Sequence, residues 1–235
     1  MWAIYCRELR SYFTTPIGYV FAGMFLAVSG ALFSATVLLQ ADTSMMSMYF
    51  LCLMFVFAIL IPLLTMKLFA DERRTKSEQI LLTAPISLGA MVIAKFLSAL
   101  TVFAAVLGVN SFNFYLLYIY GNPSLSYIFL NVLTLFLIGA AFIAVGVFIS
   151  SLTESQLNAA IGSMGLIVVI LLLGVLVNSI PVEWVRNIIK WFSFIDRYAT
   201  MSSGILDLSA VVYFISFTAV FLFLTVRVYE KRRWS

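Results

Sequence analysis

The sequence contains no histidine, only two cysteines and few charged residues, and each shortage excludes a class of function. Without histidine the chain cannot form a His-ligated metal site, a Ser-His-Asp triad or a haem site with a proximal His. Cys6 and Cys52 are too few for a Cys-ligated structural zinc or iron–sulfur site, and we interpret both as free thiols. No lysine follows a glycine, so the GxxxxGK[ST] phosphate loop is missing. If ATP drives this protein, another chain binds it.

Charge is scarce in this chain of 235 residues. Asp, Glu, Lys and Arg make up 10% of the residues and 63% are hydrophobic, whereas a soluble domain carries about 25% charged residues. So few charges cannot cover a surface in water, and the sequence therefore predicts an all-α integral membrane protein with a single transmembrane domain, residues 1–235. The net charge of +4 is explained by Lys and Arg retained on the cytoplasmic side, and we expect no nucleic-acid partner.

Six uncharged runs are long enough to cross a bilayer, which requires about 20 mostly apolar residues. The predicted spans 1 to 6 are Ile17–Leu39, Met48–Met66, Phe96–Tyr120, Tyr127–Ile149, Leu157–Val177 and Leu208–Val226. Short outer segments join spans 1 and 2 and spans 3 and 4, so we expect each of these pairs to form a hairpin.

Ionisable residues are nearly absent from the spans. Lys67 and Lys95 lie near the inner ends, where their amines can reach the membrane surface. A proton-coupled transporter usually needs an intramembrane Asp, Glu or His, so this composition argues against ion coupling. The two halves show no obvious sequence repeat, which weakens an inverted-repeat secondary transporter.

Polar residues inside the spans have two interpretations, whereas the small residues indicate close packing of helices. The polar ones can line a translocation path, although hydrogen bonding between helices is their commoner use. The candidate path residues are Asn110, Asn113 and Asn131. Ala140-x-x-x-Ala144 and Gly146-x-x-x-Ser150 carry small residues on one helix face and predict close helix packing.

The basic residues predict the direction of the chain across the membrane. With the N-terminus inside, eleven of the 14 Lys and Arg residues lie on the inner side. They are Arg7, Arg10, Lys67, Arg73, Arg74, Lys76, Lys95, Arg227, Lys231, Arg232 and Arg233. Lys and Arg are enriched in cytoplasmic loops, so both termini are predicted to be cytoplasmic.

The inner loop between spans 2 and 3 contains a predicted short helix. Thr75 and Glu78 fit a capping box, and Pro85 disfavours helix at the residue before it. These signals predict a helix over Lys76–Ala84, which is charged at its start and apolar at Ile80–Leu82. An amphipathic connector on the lipid surface and a helix that docks into a soluble partner both fit this pattern.

Two other segments outside the spans have helical apolar spacing. Met1–Pro16 predicts an interfacial amphipathic helix that leads into span 1. In the last outer segment, Asn178–Asp207, apolar residues again repeat at helical spacing, with Trp184 and Trp191 as interface anchors. We therefore expect short helices in, or dipping into, the outer membrane face.

Stretches along essentially the whole chain resemble permease subunits of type-2 ABC exporters. Asp71–Ser87, DERRTKSEQILLTAPIS, resembles their acidic–basic cluster and the short helix that follows it. Arg7–Phe21 resembles their N-terminal interfacial helix, and Gly139–Ala160 resembles the turn between their spans 4 and 5. The closing stretches DRYATMSSGILDLSAVVYFISF and EKRRW resemble the branch that includes gliding-motility permeases.

This resemblance implies a location and partners. Such a subunit lies in the bacterial or archaeal cytoplasmic membrane and pairs with an identical or related permease. Two separate ATPase subunits, which hold ATP and Mg²⁺, bind the cytoplasmic side of this pair. The chain itself then binds no cofactor and is not an enzyme. The Lys76–Ala84 helix corresponds to a coupling helix in a groove of the ATPase, and Pro181–Asp207 corresponds to a re-entrant outer gate.

The resemblance also assigns candidate residues to these two regions. The coupling residues are Glu72, Arg73, Arg74, Thr75, Glu78, Gln79, Leu81 and Leu82, and the gate residues are Trp184, Trp191, Asp196 and Arg197. A non-transporting force transmitter of an ABC assembly fits the same residues. An ion-coupled transporter is disfavoured by the apolar spans, and a membrane-embedded enzyme by inner acids that form no recognisable motif.

We predict that a cysteine placed at Ser235, in a background without Cys6 and Cys52, is labelled by an impermeant thiol reagent only after the membrane is opened. The basic residues on the inner side require this topology. Labelling of Ser235→Cys from outside intact cells would contradict it.

Overall fold

The computed structural model describes residues 1–38, 46–76, 87–121, 125–177, 183–202, 204 and 206–233, and in these it contains ten α-helices and no strand. The helices are α1 (Trp2–Thr14), α2 (Pro16–Phe33), α3 (Met46–Thr65), α4 (Lys67–Arg74), α5 (Leu88–Gly121), α6 (Leu125–Leu152), α7 (Gln156–Leu176), α8 (Glu183–Phe192), α9 (Phe194–Ser202) and α10 (Leu208–Arg233). A π-helical turn, Ser34–Leu38, extends α2. We call the end of the bundle with α1 and α4 inner and the end with α8 and α9 outer.

Six helical stretches among the described residues are long and apolar enough to cross a membrane, as predicted. They correspond to α2, α3 with α4, α5, α6, α7 and α10. Two of the predicted spans are shorter than the helices that contain them, because their limits were placed at charged residues. α5 begins at Leu88 rather than Phe96, and α10 continues to Arg233 rather than ending at Val226. A charged side chain does not interrupt the backbone hydrogen bonds of a helix, so both helices pass through Lys95 and Arg227.

Helix α6 lies at the centre of the bundle. It packs against α3, α4, α5, α7, α9 and α10. In its membrane-spanning part 67% of the residues are buried inside the protein, compared with 17% for α10. Helices α2, α7 and α10 are therefore peripheral, and they direct many apolar side chains away from the protein.

The inward face of α6 has glycines where a neighbouring helix comes close. A Cβ added at Gly146 would lie 2.1 Å from Thr65 Oγ1, and one added at Gly139 would lie 2.2 Å from the Phe103 ring. The close packing predicted from Gly146-x-x-x-Ser150 is thus confirmed. Without a side chain at these positions, Gly146 leaves room for Thr65 of α3 and Gly139 leaves room for the Phe103 ring of α5.

The predicted N-terminal helix is confirmed as α1, which packs against α2 and α5. Ile4 and Tyr12 are buried, whereas Trp2 is exposed. Thr15 takes an extended conformation, because the residue before a proline avoids the helical region, and Pro16 then begins α2. Cys6, also on α1, is a free thiol like Cys52, as predicted.

Short helices were predicted between spans 5 and 6, and α8 and α9 confirm them. Phe194, Tyr198 and Met201 of α9 are buried. The Phe194 ring lies 5.5 Å from the ring of Phe142 on α6 and 5.3 Å from that of Phe214 on α10. Helix α9 is therefore packed into the outer half of the bundle.

We predict that Gly146→Ala lowers the free energy of unfolding by about 1–3 kcal/mol, because the added methyl group overpacks the contact with Thr65. Gly165→Ala on α7 is the matched control, since nothing lies within 4 Å of a Cβ added there. Replacing Gly with Ala in an open helical position should stabilise by about 1 kcal/mol. Thermal unfolding of both variants in detergent measures the difference, and equal melting temperatures would contradict the close contact.

Candidate functional site

At the inner end of the bundle the second membrane-spanning helix is interrupted at Met66, between α3 and α4. Pro62, which lacks an N–H, lies one turn before this break. A break leaves backbone groups without helical partners. Ser150 of α6 compensates: its hydroxyl accepts hydrogen bonds from the N–H groups of Phe69 and Ala70, both at 3.1 Å, and donates to the Met66 carbonyl at 3.2 Å.

Two further helices bind carbonyls on either side of the break. The Tyr12 hydroxyl on α1 donates to the Leu64 carbonyl at 2.9 Å. Burial, together with the nearby Glu8 carboxylate, raises the pKa of Tyr12, so the phenol stays protonated and remains a donor. On α5, the Lys95 amine donates to the Leu68 carbonyl at 2.6 Å. Helices α1, α5 and α6 therefore fix the position of α4.

Four charged side chains, Arg7, Glu8, Glu72 and Lys95, form what we call the inner ion cluster. Lys95 is fully buried; its Nζ lies 2.9 Å from Glu72 Oε1 and 3.2 Å from Glu8 Oε1. Arg7 contacts both carboxylates and lies 2.7 Å from Glu72. The Lys95 amine also lies 4.9 Å from the centre of the Phe69 ring. Two cations and two carboxylates balance, which is the condition for keeping charges in a protein interior.

The inner ion cluster was not anticipated from the sequence, and the expectation that Lys95 reaches the membrane surface was wrong. Its amine points into the protein because α1 and α4 bring Glu8 and Glu72 beside it. The available signal was an isolated lysine inside an apolar run, accompanied by acidic residues in two inner segments.

A second set of contacts ties α4 to the connection between α6 and α7. Arg73 donates to the Leu152 carbonyl at 2.8 Å and pairs with Glu154 at 2.7 Å. Asp71 accepts a hydrogen bond from the Gln156 amide at 2.7 Å. All these residues lie at the inner end, so α4 contacts α1, α5, α6 and the start of α7 at once.

The predicted coupling residues fall into two groups. Glu72 and Arg73 bind the protein's own helices, whereas Arg74 is more exposed and pairs with Asp71 at 3.2 Å. The Thr75 hydroxyl donates to the Asp71 carbonyl at 2.9 Å at the end of α4. Glu78, Gln79, Leu81 and Leu82 lie in 77–86, outside the described residues.

The start of the predicted Lys76–Ala84 helix needs a correction. Lys76 has φ +56°, a left-handed conformation that ends a right-handed helix. It therefore terminates α4 instead of beginning a new helix. The rest of the predicted coupling helix lies outside the described residues and stays a prediction.

Two of the three candidate path residues form a polar contact between helices. Asn110 accepts a hydrogen bond from Ser29 of α2 at 2.7 Å and donates to the Tyr49 hydroxyl of α3 at 3.3 Å. Asn113 donates to the side-chain oxygen Oδ1 of Asn110 at 3.0 Å. These amides join α2, α3 and α5, and their role in a path stays a prediction.

The third, Asn131, joins α6 to the outer helix α9. Its side-chain oxygen accepts from the Tyr198 hydroxyl at 3.2 Å, and its amide donates to the Tyr127 carbonyl at 2.8 Å. One helical turn further, the Thr134 hydroxyl contacts the Met201 sulfur at 3.6 Å. Helix α9 is thus bound to the centre of the bundle through polar contacts as well as aromatic ones.

The predicted gate residues are distributed over α8 and α9. Trp184 on α8 is exposed, and the side chain of Trp191 lies outside what the structure describes. On α9, Asp196 has one buried carboxylate oxygen without a hydrogen-bond partner among the described residues. Arg197 donates to Ser209 Oγ at 3.0 Å. No cluster of His, Cys, Asp or Glu in the described part of the chain has the composition of a metal site.

Most of the chain matches a family of membrane transporter proteins. A family model described as ABC-2 family transporter protein matches residues 12–234. The resemblance to type-2 ABC permeases noted in the sequence is confirmed by this match, while the closer resemblance to gliding-motility permeases stays a prediction. No curated protein matches the sequence at a significant level.

We predict that Lys95→Met lowers the free energy of unfolding by about 3–5 kcal/mol, because Arg7 alone then faces the two carboxylates of Glu8 and Glu72 and one largely buried negative charge is left uncompensated. The double variant Lys95→Met, Glu72→Gln should recover part of this loss, since it restores the charge balance. Lys190→Met, at an exposed position of α8, is the control and should change stability by less than about 0.5 kcal/mol. If the single and double variants have the same melting temperature as the wild type, the inner ion cluster does not stabilise the fold.

Proposed function

We propose that this chain, which belongs to the ABC-2 family of transporter proteins, is the membrane subunit of an ATP-driven exporter whose ATP is hydrolysed on separate ATPase subunits. Family membership and six membrane-spanning helices make it a multi-pass permease. In the proposed assembly two permease subunits, identical or related, pair in the cytoplasmic membrane. Each binds an ATPase through residues 77–86, and both termini are cytoplasmic.

The observation that carries this proposal is the set of contacts around α4. This helix directly precedes 77–86 and contacts α1, α5, α6 and the start of α7 through charged and polar side chains. A force applied at 77–86 therefore reaches four other helices through contacts of about 3 Å. Such contiguous contacts are what allows a local displacement to move packed helices as a unit.

Helix α6 extends the same connection to the outer end of the bundle. Ser150 binds α4 near the inner end of α6, and Asn131 binds α9 near its outer end. The two residues are separated by about 28 Å along the helix, at a rise of 1.5 Å per residue. A tilt of α6 at the inner end would thus move α9, which we propose as part of the outer gate together with Asp196 and Arg197.

A force transmitter that moves no substrate would use the same inner contacts. We favour export because α6 links α4 to Asn131 and Tyr198 at the outer end. A substrate that crosses the membrane in step with hydrolysis supports export. Coupled hydrolysis without movement of any substrate supports the force transmitter.

We predict that Leu81→Asp or Leu82→Asp leaves the protein inserted but weakens its association with the ATPase and uncouples it from ATP hydrolysis. The six spans carry insertion, and neither residue belongs to a span. A carboxylate buried in an apolar groove without a cation costs several kcal/mol, enough to weaken docking by about two orders of magnitude or more. Co-purification of the proposed partner ATPase with each variant, in detergent, measures the effect.

Two further variants distinguish docking of the ATPase from transmission of force through α4 to the other helices. Lys231→Asp adds a carboxylate at an exposed inner position of α10 and should retain ATPase binding. Arg73→Gln, which loses its pair with Glu154, should keep the ATPase bound but reduce hydrolysis-linked transport. Wild-type binding and transport in both Asp variants at Leu81 and Leu82 would show that 77–86 is not the docking segment.

A further inference from the structure

An open groove of about 910 Å³ runs along the periphery of the protein between α7 and α10. Its walls are apolar and include Leu166 and Ile170 from α7 and Val212, Phe217 and Val220 from α10. Both helices are long and apolar enough to span a membrane, so the groove between them lies at the depth of the bilayer hydrocarbon. None of the contacts described above for α4 or for the path residues involves it.

The groove has the length of one lipid leaflet. Its lining on α10 extends from Leu208 to Phe221, which is about 20 Å at 1.5 Å per residue. One leaflet of a bilayer contributes about 15 Å of hydrocarbon, half of the total of about 30 Å, and the headgroup layer adds to this. An acyl chain that lies along α10 would therefore end near Phe221 with its headgroup close to Leu208.

A cation lies at the headgroup end of the groove. Arg197 of α9 lines it, donates to Ser209 Oγ at 3.0 Å and stacks 5.6 Å from the Tyr213 ring. None of the ion pairs between described residues includes Arg197. The nearby Asp207 carboxylate accepts instead from the Ser209 N–H at 2.9 Å and from the Thr200 hydroxyl at 3.5 Å. A guanidinium carries five N–H donors, so Arg197 has donors left for an anion.

We propose that this groove binds one anionic phospholipid, with its phosphate on Arg197 and Ser209 and its acyl chain along the apolar wall. The planar fork of an arginine matches two phosphate oxygens, and the hydroxyl of Ser209 adds a third donor. A soluble anion would leave the apolar wall uncovered. A second copy of the chain seated there would have to bring an acidic side chain to Arg197, whereas a phosphate supplies the counter-charge itself.

The bound lipid contacts the outer helix α9 through Arg197. Because α9 is joined to α6 by Tyr198 and Asn131, lipid occupancy would stabilise the outer end of the bundle in the arrangement seen here. This inference requires only that the protein lies in a membrane. It is independent of ATPase docking, so either proposal can fail without the other.

The experiment uses the full chain in nanodiscs of phosphatidylcholine that contain photoreactive phosphatidylglycerol or photoreactive phosphatidylcholine with the same diazirine-bearing chain. We expect phosphatidylglycerol to label residues 166–170 and 212–221 more strongly than phosphatidylcholine does. Arg197→Gln should reduce the labelling by phosphatidylglycerol about tenfold, because it removes a charge-assisted hydrogen bond. Peptide mapping by mass spectrometry locates the labels.

Three variants serve as controls. Arg186→Gln removes a cation from α8, where Arg186 lies 3.8 Å from Glu183 and away from the groove lining, and should leave labelling unchanged. Ser216→Trp fills the groove and should block labelling by both lipids. Arg197→Lys keeps the charge but not the fork and should give an intermediate value. It also replaces Arg197→Gln if the latter does not fold.

Three results would overturn the proposal. Equal labelling by the two lipids would mean that only ordinary boundary lipid occupies the groove. Unchanged labelling by phosphatidylglycerol in folded Arg197→Gln would exclude Arg197 as the residue that binds the lipid phosphate. Efficient cross-linking of Ser216→Cys between two copies, in a background without Cys6 and Cys52, combined with absent lipid labelling, would show that a second copy covers the groove.

Discussion

The interruption of the second span at Met66 is the constraint around which the inner half of this protein is organised. A helix broken near the membrane exposes N–H and C=O groups that lipid cannot satisfy, so other parts of the chain must. Ser150, Tyr12 and Lys95 come from three different helices and bind the groups around the break. The same hydrogen bonds attach the break and α4 to three other helices, so α4 is not free to move alone.

The placement of charge follows from this arrangement. A fully buried lysine is unfavourable unless its partners compensate for its lost hydration. Lys95 meets this condition with Glu8 from α1, Glu72 from α4 and the Leu68 carbonyl. The N-terminal helix α1, the inner end of one span and the interior of another are therefore joined where the chain leads into 77–86. For a permease driven by a separate ATPase, that is the location where a mechanical connection is needed.

The central helix α6 gives the bundle a connection between its two ends. Its glycines permit close contact with α3 and α5, and its polar residues bind α4 at one end and α9 at the other. The peripheral helices α7 and α10 differ from α6, because many of their apolar side chains point away from the protein. The groove beside Arg197 lies on this periphery, where a charged residue and an apolar wall occur together.

The sequence by itself determined the six spans, the N-terminal helix and the two outer helices, since apolar length and helical spacing are local properties of the chain. It also carried the family resemblance, because the loop from Asp71 to Ser87 can be read directly. The partners of Lys95 and Ser150 were decided only by the tertiary structure. Glu8 is far from Lys95 along the chain, as Ser150 is from Phe69, and no local pattern shows which distant groups a break or a buried charge will meet. A charged residue was therefore mistaken for the end of a helix, when packing had made it part of the core.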